Sequence, residues 1–213
     1  MNTYIPNKPL IICLTDIHGC FLTFKTLLQK IEDKYKYTPY ELYILGDSID
    51  RGPRSKEVIN YIINNKIKSV IGNHCHMMID YFLNQRLNKK SDYQKDIWLM
   101  NGGRDTIKSF NYMPQHVIDW MAQLPIYLIP KDYPDLLLSH TGFGLDPNTL
   151  DAVWNRGVKF PKDNYFRIFG HTPDSEVILT DKYANIDTGC AYKGKLTAFV
   201  WPTKETIDQV CID

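Results

Sequence analysis

The sequence reads LIICLTDIHG over residues 10–19: five apolar residues and a threonine, then Asp16 and His18 beside a glycine. A short unbroken apolar run predicts a buried strand. The same arrangement recurs in ELYILGDSIDRG (41–52) and in SVIGNH (69–74). Each segment is an apolar run that ends abruptly in polar residues. The first third of the chain therefore delivers polar side chains to the ends of successive predicted strands.

Helical segments separate these strands. The spacing of apolar residues predicts strands at Leu10–Thr15, Glu41–Leu45 and Ser69–Ile71, with helices at Phe21–Lys34 and Ser55–Asn64 between them. This β-α-β-α-β order predicts parallel strands joined by crossover helices. Because ligands in open α/β sheets bind beyond the carboxyl ends of the strands, the polar residues are expected to converge there.

The pattern of apolar residues changes twice in the remainder of the chain. Residues from about 76 to 124 are predicted to be helical, and after Pro125 a series of short apolar runs predicts a mostly antiparallel meander. We therefore expect an α/β (α+β) fold with two packed mixed β-sheets flanked by helices. It would form a single domain over residues 1–213, with a small helical cap insertion at about 76–124.

Metal-ligand chemistry is suggested by where the histidines fall. Two later runs, DLLLSH (135–140) and FRIFGH (166–171), also end in histidine, so four of the six histidines follow apolar runs. Histidine nitrogen and carboxylate oxygen suit Mn, Fe and Zn. Together with Asp16, Asp47 and Asn73, these histidines offer more ligands than one metal ion with open coordination positions can bind. They suit two ions about 3.5–4 Å apart.

Composition argues against several other classes. A net charge of +1 gives no broad attraction to nucleic acid or to an anionic membrane. No apolar run approaches the roughly 20 residues of a membrane span, and none forms the core of a signal peptide. Five cysteines without a CxxC pair fit a reducing compartment. We expect a cytoplasmic protein that binds neither DNA, RNA nor membranes, with a monomer as the default.

Three blocks together resemble a known family. TDIHG (15–19), GDSIDRG (46–52) and GNH (72–74), in this order and spacing, resemble the signature blocks of the phosphoprotein phosphatases, a group of calcineurin-like metallophosphoesterases. SHTG (139–142), WNRG (154–157) and FGHTP (169–173) resemble that family's later histidine and arginine segments. The resemblance runs from about residue 10 to 200 and is closest to the small bacterial and phage-type serine/threonine phosphatases.

This resemblance implies a four-layer αββα sandwich and a dinuclear metal centre. It implies that one metal ion is held by Asp16, His18 and a bridging Asp47. It implies that the other is held by Asp47, Asn73, His140 and His171. Mn²⁺ is the expected ion, with Fe or Zn as alternatives.

The resemblance also implies catalytic roles. Arg51 and Arg156 would clamp the substrate phosphate, and His74 would be the general acid, oriented by Asp50. A hydroxide bridging the metals would attack phosphorus directly. The sequence departs from the family pattern at Cys75, where a glutamate is usual. We expect this change to alter local hydrogen bonding without abolishing activity.

The substrate is less well defined by the sequence. The short chain favours hydrolysis of phosphomonoesters, chiefly phosphoserine and phosphothreonine in proteins. The alternative is a dinucleoside polyphosphate (diadenosine tetraphosphate) hydrolase, a class expected to be longer. A non-catalytic scaffold is disfavoured because every expected ligand is present. Asn101, Arg104, Tyr112 and Tyr192 are additional residues that could touch a substrate.

Overall fold

A computed structural model describes residues 8–86, 97–142, 150–157, 160 and 162–213. Within these residues, ten strands form two sheets of five strands each. The strands of the first sheet are β1 (Leu10–Leu14), β2 (Tyr40–Ile44), β3 (Lys68–Ser69), β9 (Lys195–Trp201) and β10 (Glu205–Val210). Their order is β10-β9-β1-β2-β3. As predicted, β1, β2 and β3 are parallel, while β9 pairs antiparallel with β1 and brings in a distant part of the chain.

The second sheet is more parallel than the sequence suggested. Its strands are β4 (Tyr127–Leu128), β5 (Leu136–Ser139), β6 (Phe166–Phe169), β7 (Ile178–Leu179) and β8 (Tyr183–Asn185), in the order β4-β5-β6-β8-β7. The central strands β5, β6 and β8 are parallel, and only the edge strands β4 and β7 run antiparallel. The predicted meander is therefore wrong for these central strands, whereas the antiparallel pairs β4–β5, β7–β8 and β9–β10 agree with the prediction. Long connections separate β5 from β6, and such connections permit the crossover that parallel pairing requires.

Helices flank the sheets. They are α1 (Phe21–Lys34), α2 (Ser55–Asn64), α3 (Asn73–Arg86), α4 (Arg104–Phe110) and α5 (Gln115–Ala122), with a π turn at Leu99–Gly103 leading into α4. Two 3₁₀ turns lie at Leu150–Val153 and Cys190–Tyr192. The helices α1 and α2 have the predicted bounds. None of the helices in the described part of the chain is long and apolar enough to cross a membrane.

The core explains why β1 is apolar at every position. Leu10, Ile12 and Leu14 pack against α1 and α2, whereas Ile11 and Cys13 face the second sheet. Because a strand alternates its side chains between two faces, β1 buries both. The prediction of two packed mixed sheets flanked by helices is confirmed. That the helices between residues 73 and 122 form a cap on a single domain stays a prediction.

Candidate metal centre and active site

The predicted site residues converge at the carboxyl ends of the strands. One cavity is lined by most of them: Asp16, His18, Asp47, Arg51, Asn73, His74, Arg156 and His171. His140 and Asp50 are buried directly behind this cavity, 1% and 0% exposed. All ten residues are therefore brought together, including the pair contributed by the second sheet, His140 and His171.

Asp47 lies at the centre of the cluster. Its Oδ2 atom is 3.3 Å from Nε2 of His140, 3.8 Å from Nε2 of His18 and 3.9 Å from Nε2 of His74. Its other oxygen, Oδ1, accepts a hydrogen bond from the backbone N–H of His74 at 3.0 Å. One carboxylate oxygen thus faces three imidazole nitrogens while the other fixes its orientation.

Backbone carbonyls fix the ring orientation of two histidines. The Nδ1 atoms of His18 and His140 lie 2.8 Å from the carbonyl oxygens of Ile49 and Leu45. Since a carbonyl only accepts, each Nδ1 donates, and Nε2 turns toward the cavity as the atom available to a metal. Burial holds the pKa of His18 well below its usual value, which favours the neutral ring that ligates metals.

Two polar atoms fit a metal ion better than they fit protein partners. His171 Nε2 is buried and has no hydrogen-bond partner among the residues that the structure describes. His140 Nε2 lies 3.0 Å from Asn73 Oδ1 and 3.3 Å from Asp47 Oδ2, both acceptors. Burial opposes a charge on His140, but the nearby Asp47 and Asp16 carboxylates raise its pKa to about 9. These nitrogen and oxygen donors fit the divalent ions expected from the sequence.

The two ligand carboxylates reinforce this fit. Burial, together with the charge of Asp47, raises the pKa of Asp16. Burial opposes the charge on Asp47 too, yet the surrounding histidines His140, His74 and His18 lower its pKa well below the usual range. Two buried carboxylates that disfavour each other's charge are a suitable environment for cations.

The backbone of the site is held in an uncommon conformation. Positive φ angles occur at six non-glycine site residues: Asp16, His18, Asp47, Asp50, Arg51 and His171. Such conformations cost energy and cluster at functional sites. Glycine is needed at position 72, because a Cβ atom there would overlap the carboxylate of Asp47. The tight turns after β1 and β2 thus direct the ligands into the cavity.

Asp50 anchors a buried hydrogen-bond network. Its Oδ2 lies 2.6 Å from His74 Nδ1, and the indole N–H of Trp98 donates to both carboxylate oxygens, at 2.9 and 3.1 Å. The hydroxyl of Thr106 donates to Oδ1 at 2.6 Å. Burial raises the pKa of Asp50, and these three donors act in the opposite direction. Asp50 therefore makes a short hydrogen bond to the ring of His74. Its role in orienting a general acid stays a prediction.

The arginines occupy the mouth of the site. The guanidinium of Arg51 lies against Nε2 of His18 and is 3.0 Å from Nε2 of His74. Arg156 is exposed. Burial, the charge of His140 and, to a smaller extent, the charge of Arg156 lower the pKa of His171 to about 4. Both cations thus face the cavity in which a phosphate would sit.

Sequence reasoning missed three residues of this site. Two of them are Trp98 and Thr106, whose contacts with Asp50 span 48 and 56 positions of the chain. Asp187 lines the cavity, and burial together with the charge of Asp16 raises its pKa to about 8. A signal for Asp187 was present, since it follows β8 as Asp16 follows β1.

Other residues singled out in the sequence differ in their placement. Asn101 and Tyr192 line the cavity. Arg104 and Tyr112 are absent from the lining that the described residues form. Cys75 is buried, and burial raises the pKa of its thiol to about 12. A protonated thiol of this kind is a poor redox sensor.

The fold and the donor set define a hydrolase of the metallophosphoesterase class. Residues 9–200 match the model of the family described as calcineurin-like phosphoesterase. The chain belongs to this family, as its sequence blocks indicated.

Two relatives with a named activity are similar to this chain along most of its length. The chain is 28% identical over 224 residues to the asymmetrical bis(5'-nucleosyl)-tetraphosphatase PrpE of Anoxybacillus flavithermus. It is 26% identical over 226 residues to the protein of the same name from Halalkalibacterium halodurans. Both matches cover 90% of this chain and 90% of the relative.

Solved structures share the fold. A protein described as a candidate diadenosine tetraphosphatase superposes with a TM-score of 0.70 at 20% identity, covering 96% of this chain and 95% of that one. A cold-active protein-tyrosine phosphatase from a psychrophilic Shewanella species gives a TM-score of 0.59 at 16% identity, covering 95% and 78%. At these identities the superpositions establish the fold alone.

Proposed function

We propose that this chain hydrolyses dinucleoside polyphosphates, with diadenosine tetraphosphate cut asymmetrically into ATP and AMP. The observation that carries the proposal is the match to the asymmetrical bis(5'-nucleosyl)-tetraphosphatases over 90% of both chains. The shortness of the chain had favoured a phosphoprotein substrate. That argument fails, because these nucleotide hydrolases align along nearly their whole length with this chain.

The metal ligands are proposed from the geometry around Asp47. Asp16, His18 and Asp47 would hold one divalent ion. Asp47 would share its charge with a second ion held by Asn73, His140 and His171. The Nε2 atom of His171 has no partner within the described part of the chain. When bound, such ions supply an activated water as nucleophile and positive charge for the phosphoryl oxygens. Mn²⁺ is the ion we would use first.

Arg51 and Arg156 would bind the phosphate to be cleaved. A guanidinium can donate two parallel hydrogen bonds to a phosphate, which orients the phosphorus atom as well as neutralising charge. The backbone N–H of Arg51 donates to the carbonyl of Gly102 at 3.4 Å, so the π turn braces this arginine. The two arginines therefore position the phosphorus for in-line attack.

His74 would protonate the leaving oxygen. Its Nε2 atom lies 3.9 Å from Asp47 Oδ2 and 3.0 Å from Arg51, whereas Nδ1 is held by Asp50. In this geometry Nε2 accepts from the Arg51 guanidinium, which can only donate. With Arg51 bound to the phosphate, a proton on Nε2 would be directed at the leaving oxygen. The buried carboxylate of Asp50 would stabilise the charged ring, as carboxylates do in other acid–base pairs.

Tyr192 would help to bind a nucleotide. Its side chain is 61% exposed, and its ring centroid lies 5.1 Å from the guanidinium carbon of Arg51. An aromatic ring beside a phosphate-binding arginine is suited to stack on a nucleobase, a contact worth about 1–3 kcal/mol. Asn101 lines the same cavity and offers an amide for polar contacts.

The test combines product analysis with a matched pair of variants. The Mn²⁺-loaded enzyme should convert diadenosine tetraphosphate to equal amounts of ATP and AMP. Tyr192→Leu should raise KM for this substrate about 5- to 150-fold, as the stacking energy implies. It should affect p-nitrophenyl phosphate less. Tyr192→Phe keeps the ring and should resemble the wild type.

Two outcomes would count against the proposal. Two molecules of ADP as product would refute asymmetrical cleavage. Turnover of a phosphoserine peptide without turnover of the dinucleotide would instead indicate that the same site hydrolyses phosphoproteins. Equal losses on both substrates in Tyr192→Leu would remove Tyr192 from nucleotide binding and leave it as a support for Arg51.

A further inference from the structure

Three cysteines from distant parts of the chain meet beside the active site. Cys20 immediately precedes α1, Cys190 begins a 3₁₀ turn, and Cys211 lies just after β10. Their sulfur atoms all lie within 4.8 Å of one another. Two of them, in Cys20 and Cys211, are 3.8 Å apart. Because the sequence shows no CxxC pair, this thiol cluster is formed by the fold alone.

The sulfur geometry suits a metal ion. Zn–S bonds are about 2.3 Å long, so thiolates that share a tetrahedral Zn²⁺ lie roughly 3.8 Å apart. The sulfur atoms of Cys20 and Cys211 lie at this distance, 3.8 Å apart. The Cys20 and Cys190 side chains are 3% and 2% exposed, so their sulfurs are shielded from water. Soft sulfur donors favour Zn²⁺ and similar thiophilic ions over Mg²⁺ or Mn²⁺.

Cys211 is held in place by contacts between residues 211–213 and the start of α1. The carboxylate of Asp213 accepts hydrogen bonds from the backbone N–H and the hydroxyl of Thr23, at 2.9 and 2.8 Å. Arg54 pairs with the same carboxylate at 2.9 Å. These contacts fasten residues 211–213 to the start of α1. The Thr23 hydroxyl also lies 3.7 Å from the sulfur of Cys211.

We propose that Cys20, Cys190 and Cys211 form a second metal site, separate from the dinuclear centre, that binds a thiophilic divalent cation such as Zn²⁺. Three thiolates would bind the ion, and a water would take the fourth position. Each thiol that binds releases its proton to solvent. The site does not depend on the substrate proposed above.

A metal ion bound by the three cysteines would also affect the active site. Cys190 lines the catalytic cavity, and the thiol of Cys20 lies 3.6 Å from the carbonyl oxygen of His18. An ion bound here would tie the loop after β1 and the turn that carries Tyr192 to the end of β10. It would therefore stiffen two sides of the cavity.

Cobalt can report on both kinds of site in one titration. Co²⁺ bound to thiolate gives an intense charge-transfer absorption in the near ultraviolet, which nitrogen and oxygen ligands do not give. We expect the reduced wild-type chain to bind one Co²⁺ with this absorption, in addition to the ions at the dinuclear centre. In Cys211→Ser the affinity for this ion should fall by at least roughly 100-fold.

Controls separate the thiol cluster from the other cysteines. Cys13→Ala removes a buried thiol of β1 that lies outside the cluster, and it should retain the charge-transfer absorption. If the variants fold poorly, the wild-type chain still provides a test by alkylation. Added Zn²⁺ should then protect Cys211, the most exposed of the three cluster cysteines, from alkylation.

Three results would overturn the proposal. The first is a wild-type chain with a loaded dinuclear centre and no thiolate absorption. The second is an absorption that persists unchanged in Cys190→Ser/Cys211→Ser, since two of the three proposed ligands would then be dispensable. The third is a disulfide between two cluster cysteines that forms under reducing conditions, which would leave only one thiol for a metal.

Discussion

Thr106 offers a direct test of how the helical segment supports catalysis. Its side chain is fully buried, and its hydroxyl donates to Asp50 Oδ1 at 2.6 Å while accepting from the Asp50 backbone N–H at 2.9 Å. Thr106→Val keeps the shape of the side chain and removes both hydrogen bonds, together with a third between the hydroxyls of Thr106 and Ser55 at 3.1 Å. The backbone N–H retains a second acceptor, the hydroxyl of Ser55 at 3.1 Å. The main loss is therefore one donor to a buried carboxylate.

The magnitude follows from that loss. A hydrogen bond to a charged group contributes about 1.5–3 kcal/mol, so we expect Thr106→Val to lower the free energy of unfolding by about 2–3 kcal/mol. For a chain of this size the midpoint of thermal unfolding should fall by roughly 5–10 °C. Removing a donor also raises the pKa of Asp50 further, so the acid limb of the kcat/KM profile should move to higher pH.

The assay compares leaving groups. Asp50 acts through His74, so Thr106→Val should lower kcat more for phenyl phosphate, a poor leaving group, than for p-nitrophenyl phosphate. Thr106→Ser retains the hydroxyl and should keep most of the stability and the leaving-group dependence. Equal stability of Thr106→Val and wild type, or equal loss on both substrates, would refute the reasoning that this network orients His74.

Three further predictions concern the ligands and the fold. His74→Asn should retain metal content and lose about 10²- to 10⁴-fold in kcat on phenyl phosphate, with a smaller loss on p-nitrophenyl phosphate; a lost metal ion would make His74 a ligand instead. Asp47→Asn should lower both metal stoichiometry and activity, because one charge would serve two cations, and normal stoichiometry by elemental analysis would contradict the bridging role. Asp163 accepts a hydrogen bond from the buried Arg167, and this contact lowers the pKa of Asp163. The ionised Asp163 therefore stabilises the fold at pH values above its pKa in the unfolded chain. This stabilisation is lost as the pH falls through the pKa of Asp163 in the folded protein. Asp163→Asn should therefore cost about 1–2 kcal/mol at pH 7 in denaturant unfolding and much less near pH 3, whereas the exposed Asp181→Asn should cost little at either pH.

Local sequence patterns predicted much of the fold. The bounds of α1 and α2 followed from apolar spacing, and the ends of β1 and β2 located Asp16 and Asp47 at one edge of the sheet. These features depend on residues that are neighbours along the chain. The parallel pairing of β5, β6 and β8 did not follow, because strand direction depends on how long connections cross the sheet.

The site was predictable where each ligand directly follows a strand. His140 and His171 were found in this way, even though they lie on a different sheet from Asp16. Trp98 and Thr106 were not found, since only the packing of the helical segment against the loop after β2 brings them to Asp50. The thiol cluster was missed for the same reason, because its three cysteines are far apart in sequence.

The substrate is the central claim, and one comparison tests it most directly. We would measure kcat/KM of the Mn²⁺-loaded enzyme on diadenosine tetraphosphate and on a phosphoserine peptide in parallel. We predict a clear preference for the dinucleotide. A clear preference for the peptide would contradict the proposed function while leaving the metal centre and the family assignment in place.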